Sequence, residues 1–413
     1  MKGKLPFVMF FAVLASSAYG AGPQPDAVYT FTCSGNKSQR VGPCPNGGSP
    51  VALIQGSDGN FYGAAQVSVE EDAATAGGVV FSLTPGGTLT VLHAFVPGPD
   101  KNYPDGNRPG TLTQGPDGKL YGYTTSGGGD VCNGGYGVLY RVNTDGSGFQ
   151  IIRRFSSEGT CGGVRPTPTA MVAGTDGNLY GTIDGNGPPY GSIFKVTPST
   201  GAYEIVLNFN FSTDEGDPSG LTLAPDGTFY GLALGSKPAL LFHYTPATGD
   251  LTTVVVNFPV FNSLLPSAPA SGLVFGPNGN LYGLYQIYAE SGIGIFEVAP
   301  DGSNLQLFPF YSTIAGGGIP DGLMLASDGN FWMADYNGSD AYGDIVALSP
   351  TDGTLLQTLT PFSSSSSVGA YPEVLIQAKD GTLWGSTYEL GRASKGHFAD
   401  GTVFSLNAGL PAR

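Results

Sequence analysis

The chain is short of charge, and above all of positive charge. Only 12% of its 413 residues are charged, and 17 Lys and Arg stand against 32 Asp and Glu, for a net charge of −15. A surface of that sign repels phosphate backbones, so we expect no nucleic-acid partner. Few charges beside 66 glycines and 32 prolines are typical of many short strands joined by turns. The sequence therefore predicts an all-β chain with almost no helix.

Long apolar runs are also scarce, and the one present stands at the N-terminus. Lys2 and Lys4 precede an apolar run over residues 5–15, and small residues follow up to Gly20. This order is typical of a secretory signal, so we predict a signal peptide over 1–20 and a single domain over 21–413. The alternative, a retained anchor helix, is less favoured because no basic residues directly follow the run. No later run approaches a spanning length, so no membrane span is expected after processing.

Cysteine and histidine are rare, which limits metal and nucleophile chemistry. The chain has four cysteines, no Cys-x-x-Cys pair and three histidines, so a zinc site has little support. It has no Gly-x-Ser-x-Gly elbow either, so a hydrolase triad has none. An even number of cysteines in an exported chain favours two disulfides, and spacing alone leaves three connectivities open.

What the sequence does contain is a repeat. The heptapeptide SDGNFYG at 57–63 returns in six variants, which are PDGKLYG at 116, TDGNLYG at 175, PDGTFYG at 225, PNGNLYG at 277, SDGNFWM at 327 and KDGTLWG at 379. The Asp-Gly (once Asn-Gly) pairs are 59, 59, 50, 52, 50 and 52 residues apart, a period typical of propeller blades. We interpret each heptapeptide as the turn between the first two strands of one blade, with glycine in the left-handed position.

The strand count predicts how the ring closes. Third strands such as GVVFSLTP are followed by fourth strands such as LTVLHAF, but none follows the last third strand, GTVFSLNA. The missing strand is DAVYTF at 26–31, which precedes the first unit. We predict a seven-bladed β-propeller in which this N-terminal strand completes the last blade and protects its edge.

These units resemble the GloVer tandem-repeat (choice-of-anchor) family. The best matching segments are 176–198, DGNLYG to IFKVTP, and 401–406, GTVFSL. The resemblance covers nearly the whole mature chain and implies a secreted bacterial propeller-like protein of unassigned biochemical role. Members often end in a surface-sorting tail, but the ending NAGLPAR here has no apolar segment, so the anchoring mode is left open.

Blade geometry sorts the loops and the cysteines. In an up-and-down blade, the connections from second to third strand and from blade to blade emerge on one face, and the tight turns emerge on the other. We name these the long-loop face and the turn face, because every long irregular segment falls in the first set. Cys33 and Cys44 share the connector into the first blade, and Cys132 and Cys161 belong to two loops of the second. We therefore predict the disulfides Cys33–Cys44 and Cys132–Cys161.

Two carboxylates are the best candidates for a site. At the position two residues before the constant apolar residue of each first strand, blades six and seven carry Asp321 and Glu373. Such a pair at the channel mouth suits a divalent cation or acid/base work. The remaining candidates are near the same rim or on a long loop, namely Arg108, Asp217, Tyr371 and His397. The competing interpretation is a solvated polar rim.

These features favour a secreted binding or scaffold protein, acting as a monomer on a glycan, a small molecule or a surface protein. Long-loop tyrosines would suit stacking on sugar rings, and the candidates are Tyr103, Tyr136, Tyr190, Tyr285, Tyr288 and Tyr342. The alternative is a metal-dependent polysaccharide lyase or lactonase working with Asp321 and Glu373. No cofactor is expected, except a divalent cation if those two carboxylates form a pair.

Overall fold

The computed structural model describes seventeen segments of the chain. They are 23–34, 44–66, 77–98, 102–129, 135–155, 167–184, 191–209, 218–233, 240–256, 264–265, 272–287, 292–310, 322–336, 342–359, 362–363, 366–389 and 397–413. All regular structure in these segments is β-strand, and none of it is helix. The strands form seven separate antiparallel sheets, which confirms the predicted seven-bladed propeller.

The first four blades each have four strands in chain order. Blade 1 contains β2 (Pro50–Gln55), β3 (Phe61–Ala65), β4 (Val79–Leu83) and β5 (Leu89–Ala94). Blade 2 contains β6 (Asn107–Gln114), β7 (Leu120–Ser126), β8 (Val138–Val142) and β9 (Gln150–Arg154). Blade 3 contains β10 (Thr167–Ala173), β11 (Leu179–Asp184), β12 (Ser192–Thr197) and β13 (Ala202–Asn208). Blade 4 contains β14 (Pro218–Leu223), β15 (Phe229–Ala233), β16 (Leu240–Thr245) and β17 (Asp250–Val255).

The last three blades vary this plan. In blade 5 the first strand is two short pieces, and its strands are β18 (Leu264–Leu265), β19 (Val274–Phe275), β20 (Leu281–Ile287), β21 (Gly292–Val298) and β22 (Gln306–Phe310). Blade 6 contains β23 (Met324–Leu325), β24 (Phe331–Asp335), β25 (Asp344–Leu348) and β26 (Leu355–Leu359). Blade 7 contains β27 (Ala370–Gln377), β28 (Leu383–Glu389), β29 (His397–Leu406) and, as its outermost strand, β1 (Asp26–Ser34).

The N-terminal strand closes the ring as the sequence predicts. Strand β1 pairs antiparallel with β29, in a register that runs from Asp26 opposite Ser405 to Ser34 opposite His397. First strands contact one another between blades 1 and 2, 2 and 3, 3 and 4, and 5 and 6, and the contact of β2 with β27 joins blade 1 to blade 7. The turn face then lies at the C-terminal ends of the first strands, and the long-loop face lies at their N-terminal ends.

Glutamines tie the blades on either side of this closure at the turn face. Three first strands end in a glutamine whose Oε1 accepts the backbone N–H of the turn in the preceding blade. The bonds run from Lys379 N to Gln55 (2.8 Å), from Ser57 N to Gln114 (2.8 Å) and from Ser327 N to Gln377 (2.9 Å). A backbone N–H group of each of these turns therefore finds its acceptor in the next blade. The bond helps to hold the two neighbouring blades together.

The hydrophobic core is divided into seven clusters, one between each pair of neighbouring blades. The aromatic pair of the heptapeptide supplies two of them at once. Side chains alternate along a strand, so Phe61 packs toward blade 7 while Tyr62 packs toward blade 2. At the closing interface Phe61 stacks on Trp384, with ring centroids 3.8 Å apart.

The aspartate of the heptapeptide fixes both the turn and the tyrosine. Asp58 Oδ1 accepts the N–H of Asn60 (3.1 Å), and Asp58 Oδ2 accepts the hydroxyl of Tyr62 (2.8 Å). The same bond to the aromatic four residues on recurs in three other blades, and the pairs are Asp117–Tyr121, Asp176–Tyr180 and Asp328–Trp332. The buried hydroxyl therefore has a charged acceptor, which a neutral turn residue would not provide.

The two glycines of the heptapeptide are required for different reasons. Gly59 has a φ of +86° with open space around its Cα, so only its backbone conformation calls for glycine. Gly63 lies opposite Phe81 in the register, and a Cβ there would be 2.3 Å from the Phe81 ring. The glycine thus makes room for an aromatic ring of the third strand, in addition to the close backbone approach that the sequence indicates.

Blade 6 shows that this glycine and the aromatic ring belong together. Six blades pair a strand-two glycine with a strand-three Phe or Tyr, but in blade 6 Met333 faces Val346. A longer side chain on one strand accompanies a smaller one on the other. The volume between the two strands is therefore conserved while its residues are exchanged.

The disulfide Cys33–Cys44 is present, and both cysteines are fully buried. It joins β1 to the segment that enters blade 1, so it fastens the strand that closes the ring. The second predicted pair, Cys132–Cys161, lies outside the described residues.

We predict that the glycine–aromatic pair is strongly coupled. In blade 3 a Cβ at Gly181 would lie 2.5 Å from the Phe194 ring, and its three nearest atoms belong to the side chains of Phe194 and Met171. Gly181→Met should destabilise the protein by about 1–3 kcal/mol because the space is already filled. Adding Phe194→Val, which copies the pair of blade 6, should recover more than half of that loss in denaturant unfolding.

Together these variants form a double-mutant cycle, for which Phe194→Val alone is the control. This single variant leaves a cavity, so it should also destabilise the protein. If the two single losses simply add in the double variant, the proposed coupling is wrong.

We also predict a loss of stability at alkaline pH. Burial, with the hydrogen bond to Asp58, raises the pKa of Tyr62 to about 12, and burial raises the pKa of Tyr121 and Tyr282 to about 12. In the unfolded chain these tyrosines ionise near pH 10, whereas in the folded protein they stay neutral until about pH 12. Their contribution to stability is therefore fully present below pH 10 and is lost as the pH rises from about 10 to about 12. The melting temperature should fall over this range, less steeply in Tyr62→Phe. A melting temperature that stays level up to pH 12 would contradict this.

Candidate functional site

Three first strands begin with a residue in an unusual backbone conformation. Ser49, Arg108 and Tyr371 have positive φ values of 49°, 54° and 61°. Each directly precedes a proline that starts or extends the innermost strand of its blade. The left-handed region is costly for a residue with a side chain, and the α regions are disfavoured before proline. All three residues lie at the long-loop end of the innermost strands, which we call the rim.

A contact with the preceding blade holds this conformation. The N–H of Tyr371 donates to the carbonyl of Tyr342 (2.8 Å), and the N–H of Arg108 donates to the carbonyl of Gly77 (2.8 Å). The following proline packs on a glycine that begins the third strand of the preceding blade, as Pro372 does on Gly343. We call this hydrogen bond and the proline–glycine contact the clasp. The side chain of the strained residue then lies at the rim, where Tyr371 is half-buried and Arg108 is exposed.

At the rim between blades 6 and 7, four half-buried tyrosines form a cluster. Tyr371 stacks on Tyr336, with ring centroids 4.9 Å apart and planes 23° apart. Tyr388 lies 6.4 Å from Tyr336 at 54°, and Tyr342 lies 6.3 Å from Tyr371 at 40°. We call these residues, Tyr336, Tyr342, Tyr371 and Tyr388, the tyrosine cluster. Its members come from the ends of β24, β27 and β28 and from the segment before β25.

Two glutamates accompany the cluster. Glu373 lies two residues after Tyr371 on β27, at the irregularity between Pro372 and Leu375, and Glu389 ends β28. Burial raises the pKa of Tyr336 to about 12, and the negative charges of Glu373 and Glu389 act in the same direction. The rim between blades 6 and 7 therefore combines aromatic rings with negative charge.

A buried carboxylate pair lies beside the cluster in the chain. Asp335 and Asp344 face each other directly in the β24–β25 register, and they are 2% and 3% exposed. The other described blades carry no such pair at the long-loop end of their second and third strands. In blade 7 this place is taken by Thr387 and Thr402, whose hydroxyls bond to each other (3.0 Å).

The structure brings together two of the predicted site residues. Tyr371 and Glu373 lie in the same sector, and both are electrostatic neighbours of Tyr336. Arg108 lies in blade 2, with the whole of blade 1 between it and Glu373, so a shared site with Glu373 remains a prediction. Asp321 and Asp217 lie outside the described residues, so their pairing also remains a prediction. His397 begins strand β29, opposite Ser34, and is not in a loop as the sequence indicates.

Tyr336, Tyr388 and Glu389 were not predicted from the sequence. A signal for the two tyrosines is present, since blades 6 and 7 both place a tyrosine at the end of the second strand or directly after it, in STYEL and ADYNG. Of the tyrosines predicted to be exposed, Tyr103, Tyr136 and Tyr342 are half-buried. Tyr285 is buried at 4% exposure, because its ring packs over Gly294. Tyr190 and Tyr288 lie outside the described residues.

Among the described residues, one group has ligand atoms close enough together to be considered for a metal ion. Only Cys33, Cys44 and Asp400 bring three ligand types close together there. The two sulfurs are joined as a disulfide, so they are not the thiolates that a metal requires. That group is therefore not a metal site.

The fold and the repeated rim define a propeller built from tandem units. The chain belongs to the family of the Gloeobacter/Verrucomicrobia repeat, whose model matches residues 49–294 and, in an overlapping second match, residues 167–404. This membership confirms the resemblance seen in the sequence. None of the curated proteins compared with the chain matches it.

Several solved structures share the fold. Virginiamycin B lyase from Staphylococcus aureus, an inactive variant with quinupristin, has a TM-score of 0.54 at 14% identity and covers 88% of this chain and 96% of its own. Hydrazine synthase from Kuenenia stuttgartiensis has a TM-score of 0.52 at 13% identity, covering 83% and 94%. A protein from Lactobacillus plantarum has a TM-score of 0.51 at 16% identity, covering 75% and 84%. Identities this low establish the fold and leave function open.

The described part of the chain contains no helix with the length and hydropathy needed to cross a bilayer.

We predict that Glu373 controls the titration of Tyr336. Removing its negative charge with Glu373→Gln should lower the pKa of Tyr336 from about 12 toward its ordinary value of 10.0. The measurement is NMR of tyrosine labelled at the ring Cζ, with the resonance assigned through Tyr336→Phe. Glu204→Gln, at an exposed ion pair with Lys195 in blade 3, is the control and should leave the titration unchanged. Equal titrations in wild type and Glu373→Gln would refute the placement of Glu373.

Proposed function

We propose that the protein is a secreted binding protein that holds a glycan or another small ligand on the tyrosine cluster, at the rim between blades 6 and 7. The proposal is for binding without catalysis. Its location outside the cytoplasm is supported by the buried disulfide Cys33–Cys44, because disulfides persist in oxidising compartments, and by the family to which the chain belongs.

The conformation of Tyr371 is the observation that carries this proposal. A non-glycine residue in the left-handed region costs about 1–3 kcal/mol, and such residues concentrate at functional sites. Glycine would meet the backbone requirement at φ +61° without that cost. A large aromatic residue at this position is therefore better explained by what its ring contacts than by the fold.

The surroundings of Tyr371 fit a ligand site. Tyrosine offers a flat apolar ring with a polar hydroxyl, which suits ligands that are partly apolar and partly hydrogen-bonding, such as sugars. Four such rings meet at one place on the rim, and all four are half-buried rather than enclosed. The ring surface left to solvent is available to a ligand.

The alternative, a metal-dependent lyase or lactonase, depends on Asp321 acting with Glu373. The lyase among the similar structures is 14% identical to this chain, a level that supports the fold and not the chemistry. The described geometry at Glu373 is that of a carboxylate beside tyrosine rings, which favours binding.

We predict that Tyr371 is retained for binding at a cost in stability. Tyr371→Gly should be about 1 kcal/mol more stable than Tyr371→Ala, the reverse of the usual order in a strand, because only glycine relieves the strain. Denaturant unfolding measures the difference. Arg108→Gly and Arg108→Ala, at the same conformation in blade 2, should show the same order.

Ligand binding is tested with the same Tyr371→Gly variant. A glycan and small-molecule array should give ligands for the wild type that are lost in Tyr371→Gly and retained in Tyr203→Ala, which changes a half-buried tyrosine on the outer strand β13 of blade 3. If Tyr371→Gly binds every ligand as the wild type does, the proposed function fails, whatever its stability.

A further inference from the structure

We propose that the ligand of the tyrosine cluster carries an organic ammonium group, so that the rings and the adjacent glutamates together form a site for a cation. This inference rests on the proposed function and narrows it. The chemical class is a quaternary or primary ammonium on a small organic molecule, such as a choline-like group or an amino sugar.

The rings supply the first part of the argument. The face of an aromatic ring carries negative electrostatic potential, and a cation within about 6 Å of its centre is attracted to it. In the tyrosine cluster, neighbouring centroids are 4.9–6.4 Å apart. Tyr371 and Tyr336 stack on each other, so a cation approaches the cluster from the outer faces and edges of the rings. Because Tyr388 and Tyr342 are inclined to the stacked pair at 54° and 40°, the cluster presents ring surface in more than one direction.

The carboxylates supply the second part. Glu373 lies two residues after Tyr371 on β27, and Glu389 directly follows Tyr388 at the end of β28. Burial is the larger cause of the raised pKa of Tyr336, and the negative charges of the two glutamates act in the same direction. The buried pair Asp335 and Asp344 adds acidic residues at the ends of the adjoining strands. The carboxylates of this sector would repel an anionic ligand. A neutral ligand would gain no electrostatic attraction from them. A cation is attracted both by the rings and by the carboxylates.

The donor set distinguishes an organic cation from a bare metal ion. Calcium and magnesium require six or more oxygen ligands at close range, whereas the cluster presents mainly ring carbon. Ammonium groups bearing methyl or sugar carbons are more weakly hydrated than such ions, and they match a surface that is both apolar and negative. The overall charge of −15 also favours the approach of cations at low salt.

The test compares each cation with a neutral molecule of the same shape. Choline chloride against 3,3-dimethyl-1-butanol isolates a quaternary ammonium, and glucosamine against glucose isolates a primary one. Binding to the full chain is measured by titration calorimetry and by shifts of labelled tyrosine. We expect at least one cation to bind about tenfold or more tightly than its neutral partner, which corresponds to about 1.4 kcal/mol. Added salt should weaken only the cation.

Variants locate the site. Tyr336→Ala should abolish binding of the cation, and Glu373→Gln should weaken it several-fold while leaving the neutral partner unchanged. Tyr203→Ala and Glu204→Gln, which change the same residue types on β13 in blade 3, should bind as the wild type does. Circular dichroism and melting of each variant show that it is folded.

The outcomes separate this inference from the proposed function. If neutral glycans bind through Tyr371 and neither choline nor glucosamine is preferred over its neutral partner, the cation inference is overturned and the proposed function stands. If neither cation binds at millimolar concentrations, the cation inference is also overturned. If the cation binds equally well to Tyr336→Ala, it binds elsewhere and the cation inference is overturned, while the proposed function is still decided by the Tyr371→Gly result.

Discussion

The structure depends on one constraint, which is that no blade has a core of its own. Each sheet is four strands with side chains on both faces, and every hydrophobic cluster lies between two sheets. The adjacent aromatic residues of the second strand enforce this arrangement, because neighbours on a strand point to opposite faces. Tyr180 contacts Phe229 and Tyr282 contacts Phe331, so the second aromatic of one blade meets the first aromatic of the next. A chain of such contacts is stable only when it returns to its start.

The sequence predicts the parts of the fold that repeat. Seven heptapeptides identify seven blades, and the missing fourth strand predicts the closure by β1, because a count of strands does not depend on knowing contacts. The pair Cys33–Cys44 follows from the same topology. The role of Gly63 beneath Phe81 and the bond from Asp58 to Tyr62 depend on register and on side-chain direction. A single sequence does not give these.

The candidate site is predicted only in part, for a physical reason. Glu373 stands out because its equivalents in most blades are small or apolar, and Tyr371 is found only through its nearness to the rim. Tyr336 and Tyr388 belong to different blades and come together only when blades 6 and 7 pack. Tyr285 shows the opposite error, since a tyrosine near a loop is buried when a glycine on the next strand leaves room for its ring.

The core and the rim are constrained in different ways, the core by its volume and the rim by its backbone conformation. In the core, the exchange of glycine and aromatic for Met333 and Val346 in blade 6 keeps the volume constant, so the residues can change while the packing does not. At the rim, the contact of proline with glycine fixes the backbone, and the side chain of the preceding residue differs from blade to blade. Serine, arginine and tyrosine all occupy that position with nearly the same φ. A repeat fold can therefore vary the residues of its rim one blade at a time.

The pairing of β1 with β29 also bears on how the chain must fold. Asp26 and Ser405 are partners, so β1 cannot take its place in blade 7 until β29, far along the chain, has been made. Contacts so distant in the chain form slowly. Until they form, the outer edge of the last blade and the flank of the first are open to pairing with other chains. A nascent molecule of this kind has to be kept apart from its copies until β29 is available to pair with β1.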